Sequence, residues 1–183
     1  MTATAILGGG CFWCIEHDLR ALEGVTEVVS GYSGGHTENP SYYDVLTETT
    51  GHREAVLVTY NPEILSYRHL LQFFIDHIDP TDGEGQFADR GESYAPTIFY
   101  ATPEEQETAE SVLEELDASG VYAQPNAVAI LPRSKFYTAE EEHQDYANKN
   151  PMGYSMYRQG SGRAGFVQNT CQIRIDKKIN WKS

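Results

Sequence analysis

Basic residues are scarce in this chain: 13 Lys and Arg stand against 27 Asp and Glu, a net charge of −14 over 183 residues. So acidic a protein repels phosphate backbones and anionic lipid, which excludes nucleic acid and the membrane surface as partners. No apolar run approaches the ~20 residues of a membrane span. Met1 to Leu7 is too short and too uncharged for a signal peptide, so the cytoplasm is the expected location. Cysteine is scarce as well. Three cysteines, an odd number, make no disulfide scaffold in a chain of this length. In a reducing compartment they point to metal binding, redox chemistry or catalysis. Cys11 and Cys14 form half of a zinc motif, but the only further thiol is Cys171 and the histidines are scattered, so no metal is expected. Internal repeats, low-complexity tracts and interdomain linkers are lacking too. With 40% hydrophobic residues, the chain is expected to fold as one domain, residues 1–183, and to act as a monomer.

What is present is concentrated early, in Gly8-Gly9-Gly10-Cys11-Phe12-Trp13-Cys14. The apolar run from Ala3 to Leu7 reads as a buried strand, and Ile15 to Leu22 has helical spacing that stops at Gly24. Cys11 is therefore placed at a strand-to-helix junction. Unpaired backbone N–H groups and the positive helix end there favour a thiolate. Bringing a thiol from its ordinary pKa of ~8.5 down to about 7 costs about 2 kcal/mol and leaves roughly half of it ionised at neutral pH. The glycines admit a substrate close to the backbone, and Phe12 and Trp13 offer flat apolar walls.

Strand and helix periods alternate along the rest of the chain. Val25 to Tyr32 and Arg53 to Tyr60 read as strands, and Ser66 caps a helix that Asp79-Pro80 ends. Tyr94 to Tyr100 is a strand, and Pro103 opens a helix closed by Ala118-Ser119-Gly120. Ala127 to Leu131 is a short strand and Ala139 to Asn148 a last helix. Two βαβ units in one sheet, helices on one face, give a ferredoxin-like α+β two-layer sandwich. The core is expected over residues 4–165. The residues after Pro151, and the tail 166–183 with them, are expected as coil wrapping the domain. Residues 37–50 and 79–93 are long polar loops of the kind that carry function.

The polar segments hold further candidates. Glu54 enters an otherwise apolar strand, where it is either a solvated strand end or a carboxyl group kept neutral by burial and able to give a proton. His143 lies in a highly acidic segment and reads as part of a solvated helix face. Cys11 and Cys14 by themselves fit a buried structural pair, a thiol–disulfide oxidoreductase or a redox-sensing module.

Taken in order, the segments resemble the methionine sulfoxide reductase A family. The matching pieces are Gly10 to Trp13, Gly31-Tyr32-Ser33-Gly34-Gly35 with Asn39-Pro40-Ser41-Tyr42, and Thr50-Gly51-His52-Arg53-Glu54. They continue through His77-Ile78-Asp79-Pro80-Thr81, Asp89-Arg90-Gly91 with Tyr94, and Ala139-Glu140-Glu141-Glu142-His143-Gln144. The resemblance implies an enzyme that reduces the S epimer of methionine sulfoxide, free or in oxidised proteins, without a cofactor. It implies Cys11 as nucleophile, Glu54 as acid, and Tyr42 and Tyr94 as hydrogen-bond donors to the sulfoxide oxygen. Asp89 helps to organise the pocket, and Phe12 and Trp13 enclose the substrate methyl group. Attack leaves a sulfenic acid on Cys11, a second thiol condenses with it, and a thioredoxin-type dithiol opens the disulfide.

The chain departs from the family pattern at the resolving thiol. Many members carry glycine where this chain has Cys14, and a cysteine where it reads Gly153-Tyr154-Ser155. Cys14 and Cys171 are the remaining candidates, with Cys14 favoured by its short loop to Cys11. Ala95-Pro96 also stands where many members have Arg-Ser after the tyrosine. An oxidoreductase or redox module built on Cys11 and Cys14 would need neither Glu54 nor the tyrosines.

Overall fold

The computed structural model describes residues 1–177. Strands β1 (Ala3–Gly8), β2 (Val25–Ser33) and β3 (Arg53–Tyr60) follow the predicted runs to within one or two residues. β6 (Thr97–Tyr100) and β7 (Ala129–Pro132) start later than their runs, and no run predicts the short β8 (Tyr137–Thr138). They make a six-stranded sheet in the order β7-β6-β1-β3-β2-β8, antiparallel throughout except for the parallel β6–β7 pair. The register sets the faces. Ala5, Leu7, Val56 and Val58 point to one side, where they join the main core. Ile6, Ala55 and Phe99 form a smaller cluster on the other side, under Leu57, Leu131 and Phe136. This is the period-2 alternation of strands buried unequally on their two faces.

Helices α1 (Phe12–Arg20), α3 (Tyr67–Asp76) and α4 (Pro103–Ser119) supply the main core with Ile15 and Leu19, Leu70 and Phe74, and Val112 and Leu116. Their ends follow sequence signals. The Ser66 hydroxyl accepts from His69 N–H at 3.1 Å, Thr102 Oγ1 accepts from Glu105 N–H at 3.2 Å, and Gly120 closes α4 in the left-handed region at φ 63°. Among the described residues no helix is long and apolar enough to cross a membrane.

Three expectations are corrected. The segment 37–50 is not all loop: α2 (Tyr42–Leu46) forms there because Ser41 and Asp44 make a reciprocal capping box. The helix expected over Ala139–Asn148 is a 3-10 turn (Glu141–His143) followed by a short α5 (Tyr146–Lys149). It breaks because Asp145 adopts the left-handed conformation and donates its N–H to the buried Glu16 carboxylate. The coil-rich tail is helical instead, in α6 (Pro151–Gly160) and α7 (Arg163–Lys177). Asn150 caps α6, accepting from Gly153 N–H at 3.2 Å, with Pro151 at the first helical position. That start signal is present in the sequence but is outweighed by the Gly and Ser content of the segment. Residues 178–183, part of the expected coil tail, lie outside the described residues.

Candidate active site

Cys11 stands where β1 ends and α1 begins, as the junction reading requires. Its carbonyl accepts from Cys14 N–H at 3.1 Å, the first closure of the helix. The glycines before it are sterically forced. A Cβ on Gly9 would stand 2.8 Å from both Ile78 and Phe74. Gly10 has φ +81° and would bring a Cβ within 2.5 Å of Gln86. The backbone thus packs directly on α3 and on the 79–93 segment.

That segment carries the two-stranded ribbon β4 (Gly85–Gln86) and β5 (Asp89–Arg90), then a 3-10 turn ending at Tyr94. It closes one side of a cavity of about 260 Å³, lined by Cys11, Phe12, Trp13, Tyr42, Glu54, Asp89, Tyr94 and Tyr157. Every residue expected as nucleophile, acid, hydroxyl donor, pocket organiser or methyl wall therefore meets the others in one place. They come from α1, α2, β3, β5 and the turn after it. Tyr157, from α6, is the member that the sequence does not mark, because its segment reads as coil.

Glu54 is the buried alternative, 3% exposed at the start of β3. One carboxyl oxygen, Oε2, accepts the Phe12 N–H at 3.0 Å. Burial, reinforced by the neighbouring Asp89 charge, pushes its pKa up to about 8 against the hydrogen bonds from Phe12 and Tyr94, so it holds a proton at neutral pH. Burial likewise keeps Tyr42, Tyr94 and Tyr157 protonated, Tyr42 at about 12. The Tyr157 hydroxyl donates to Asp89 Oδ2 and also hydrogen-bonds Cys11. Asp89 thus holds the Tyr157 hydroxyl beside the nucleophile, its proton turned to the carboxylate. The arrangement offers one sulfur nucleophile, one neutral acid and the two hydroxyl donors Tyr42 and Tyr94 around a small apolar floor.

Tyr42 is held in turn by Glu140, whose Oε1 accepts the Tyr42 N–H at 2.8 Å while Oε2 accepts the Tyr32 hydroxyl at 2.8 Å. Burial acts against it, but these hydrogen bonds keep the Glu140 carboxyl below its usual range. Several quoted motifs turn out to be scaffold. His52 accepts the Gly35 N–H at 3.1 Å and bonds Thr37 O at 2.7 Å, and Gln144 bridges Ser30 and Ala139.

The solvated reading of His143 is overturned. It is 7% exposed, and its Nδ1 accepts the Trp13 indole N–H at 3.2 Å. Its ring packs 4.5 Å from Tyr42 and 5.3 Å from Phe12. Burial lowers its pKa, which keeps Nδ1 unprotonated and able to accept. Trp13 is further fixed by stacking on Tyr146 at 3.9 Å. Removal of the acceptor in His143→Ala is expected to raise KM for methionine sulfoxide about five- to tenfold, on the order of 1 kcal/mol for one lost hydrogen bond. Steady-state kinetics with dithiothreitol should show kcat within about twofold and partial rescue by His143→Asn. An unchanged KM would separate His143 from the pocket wall.

The thiols differ from expectation. Cys11 is 6% exposed and Cys14 is fully buried with Tyr154 and Ala147. Burial and the hydrogen bond with Cys14 push the Cys11 thiol up, against the lowering expected from the helix end. Cys14 is held down at about 7, mainly by the Cys11 hydrogen bond and then by Arg163 and Arg158. Cys171 is exposed on α7, in a separate groove with Arg158 and Val167. Among the described residues no group of three His, Cys, Asp or Glu is placed to hold a metal ion.

The family model described as peptide methionine sulfoxide reductase matches residues 3–175. The MsrA of Bacillus subtilis is 50% identical over 163 residues, 89% of this chain and 92% of its own length. An MsrA of Staphylococcus aureus is 46% identical over 90% of this chain and 93% of its own. Among solved structures, reduced Mxr1 from Saccharomyces cerevisiae superposes with a TM-score of 0.79 at 31% identity, covering 84% of this chain and 88% of its own. Methionine sulfoxide reductase A of Corynebacterium diphtheriae gives 0.74 at 34%, covering 84% and 77%.

Proposed function

The chain belongs to the peptide methionine sulfoxide reductase family, and from that premise we propose that Cys11 attacks the substrate sulfur while Glu54 protonates the departing oxygen. The enzyme reduces methionine-S-sulfoxide with thiols. The observation that carries the assignment of roles is the buried, protonated Glu54 facing the same small cavity as Cys11. A sulfoxide oxygen leaves sulfur only as it gains a proton, so the site needs an acid beside the thiol. Tyr42 and Tyr94 donate to the oxygen as its negative charge grows, and Asp89 acts through Tyr157. Phe12 and Trp13 receive the methyl group.

Cys14 resolves the sulfenic acid. It is already hydrogen-bonded to Cys11, whereas Cys171 lies exposed in another groove. An external dithiol of the thioredoxin type then opens the disulfide, in a cytoplasmic setting that suits three unpaired thiols. We read the framework as one domain with a ferredoxin-like core. The central order β6-β1-β3-β2, all antiparallel, with α1 and α3 as the crossovers, supports that reading.

The test is turnover of each sulfoxide epimer, first with dithiothreitol and then with thioredoxin. The S epimer alone should be consumed. Cys171→Ser should keep thioredoxin-driven turnover, and Cys14→Ser should lose it after one equivalent of methionine. The reverse pattern would make Cys171 the resolving thiol.

A further inference from the structure

Arg163 stands at the start of α7 and is 1% exposed. Its fork spans carbonyls from two parts of the chain. Nη2 donates to Gly9 O at 2.7 Å, and Nη1 donates to His77 O at 2.9 Å, at the end of α3. The guanidinium also lies 4.8 Å over the Phe87 ring. No carboxylate pairs with it among the ion pairs of the described residues. A guanidinium cannot shed its proton, and burying one without a counter-ion is costly. What this one holds is the backbone leading into Cys11 and the ribbon that carries Asp89.

We propose that Arg163 is a positioning residue for the attack on the sulfoxide, fixing the Gly9–Gly10 peptide plane and the Phe87 turn and so setting Cys11 against Asp89 and Tyr157. It rests on the assignment of Cys11 as nucleophile. Two consecutive glycines have no side chains to hold their dihedral angles. Gly9 lies beyond the end of β1, so Arg163 rather than a neighbouring strand takes its carbonyl. Contact continues at Gly10, where an added Cβ would stand 2.7 Å from Nη2. On the other side of Cys11, Glu54 Oε2 takes the Phe12 N–H at 3.0 Å. The short segment that carries the nucleophile is thus held at both ends, by the acid and by Arg163.

The second hold acts on the opposite wall of the cavity. Phe87 lies between β4 and β5 at φ +57°, a conformation that a bulky side chain seldom takes. Its ring touches the Arg163 guanidinium and meets the Phe166 ring edge-on at 5.3 Å, both from α7. Two residues further on, Asp89 accepts the Tyr157 hydroxyl at the cavity. One buried cation therefore ties the nucleophile segment, the end of α3 and the ribbon into one frame. Lysine cannot do the same. Its ammonium is a point charge without a planar face, and it cannot reproduce the fork that spans both carbonyls. Methionine fills similar space and removes the buried charge, but leaves both carbonyls unpaired. These effects on stability oppose each other, so Arg163→Met is expected to fold.

The experiment follows methionine release from methionine-S-sulfoxide by the full chain without reductant, at several substrate concentrations, with thermal melting by circular dichroism alongside. The amplitude counts correctly folded sites, and the rate constant at saturation reports the attack itself. Arg163→Met should keep the parent amplitude and a half-saturating concentration within about twofold. Its saturating rate constant should fall about 10–100-fold, the scale of a small misplacement of the reacting atoms. Arg163→Lys should lie between Arg163→Met and the parent. Arg68→Met serves as the destabilised reference, since Arg68 pairs with Glu115 across α3 and α4 and touches neither hold. It should lose amplitude on heating but keep the parent rate constant. Arg163→Met at the parent rate constant, with activity lost only as amplitude, overturns the proposal. So does an equal slowing in Arg68→Met. Where Arg163→Met does not fold, Arg163→Lys decides: a slowed rate constant supports the proposal and the parent value overturns it. Methionine release by Cys11→Ser in the same assay would instead remove the underlying assignment of the nucleophile.

Discussion

Cys11→Ser is expected to release no methionine in a single turnover, a loss on the order of 10⁴-fold or more, even with excess dithiothreitol. A serine hydroxyl is far less acidic than a thiol, and its oxygen cannot take the sulfoxide oxygen to form a sulfenic acid. Cys14 offers no substitute, since it is fully buried against Tyr154 and Ala147 and does not line the cavity. The exchange is small, so the melting temperature should stay within a few degrees of the parent. Quantifying methionine after acid quench of equimolar enzyme and substrate decides the matter. One full equivalent from Cys11→Ser would move the nucleophile elsewhere.

Glu54→Gln is expected to lower kcat by about 10²–10⁴-fold, the usual worth of a positioned general acid. Glutamine keeps the shape and can still accept the Phe12 N–H, but it has no proton to give. The parent enzyme should lose activity as pH rises through about 8, because the Glu54 carboxyl ionises there. That alkaline limb should be absent from the residual activity of the variant. The same shift acts on stability with a definite sign. Glu54 binds its proton more tightly folded than unfolded, so the folded state loses ground as pH rises from the ordinary carboxyl range to about 8. The cost is about 3 kcal/mol at neutral pH for a fully buried carboxyl with such a shift. Glu54→Gln should therefore melt higher than the parent, with the gap widening between about pH 5 and 8. A variant that is inactive but no more stable at alkaline pH would argue against a buried neutral acid.

Much of the site is legible in the amino-acid order alone. Cys11 at a strand-to-helix junction follows from apolar run, glycines and helical spacing, all local signals. The family resemblance supplies the roles of Tyr42, Glu54, Asp89 and Tyr94, and the fold brings all four to the Cys11 cavity. Strands with strong alternation, such as Arg53–Tyr60, match their predicted bounds to the residue, because period-2 burial is written into the chain. The elements that differ are those whose conformation depends on distant partners. Asp145 breaks a helix because its N–H is drawn to Glu16, far away in the chain. The helices after Pro151 read as coil because their stability comes from docking on α1 and α3 rather than from a strong apolar stripe of their own.

The sequence by itself determined the strand and helix periods, the glycine hinge before Cys11 and the supply of thiols, since each depends on neighbouring residues alone. The tertiary structure decided protonation and proximity. Burial at the start of β3 keeps Glu54 neutral, and α6 brings Tyr157 to Asp89 and Cys11. Packing around the 3-10 turn puts His143 under Trp13, and α7 drives Arg163 into the interior against the Gly9 carbonyl. Charge state depends on how much water is excluded and which dipoles remain, and those quantities exist only once the chain has closed on itself.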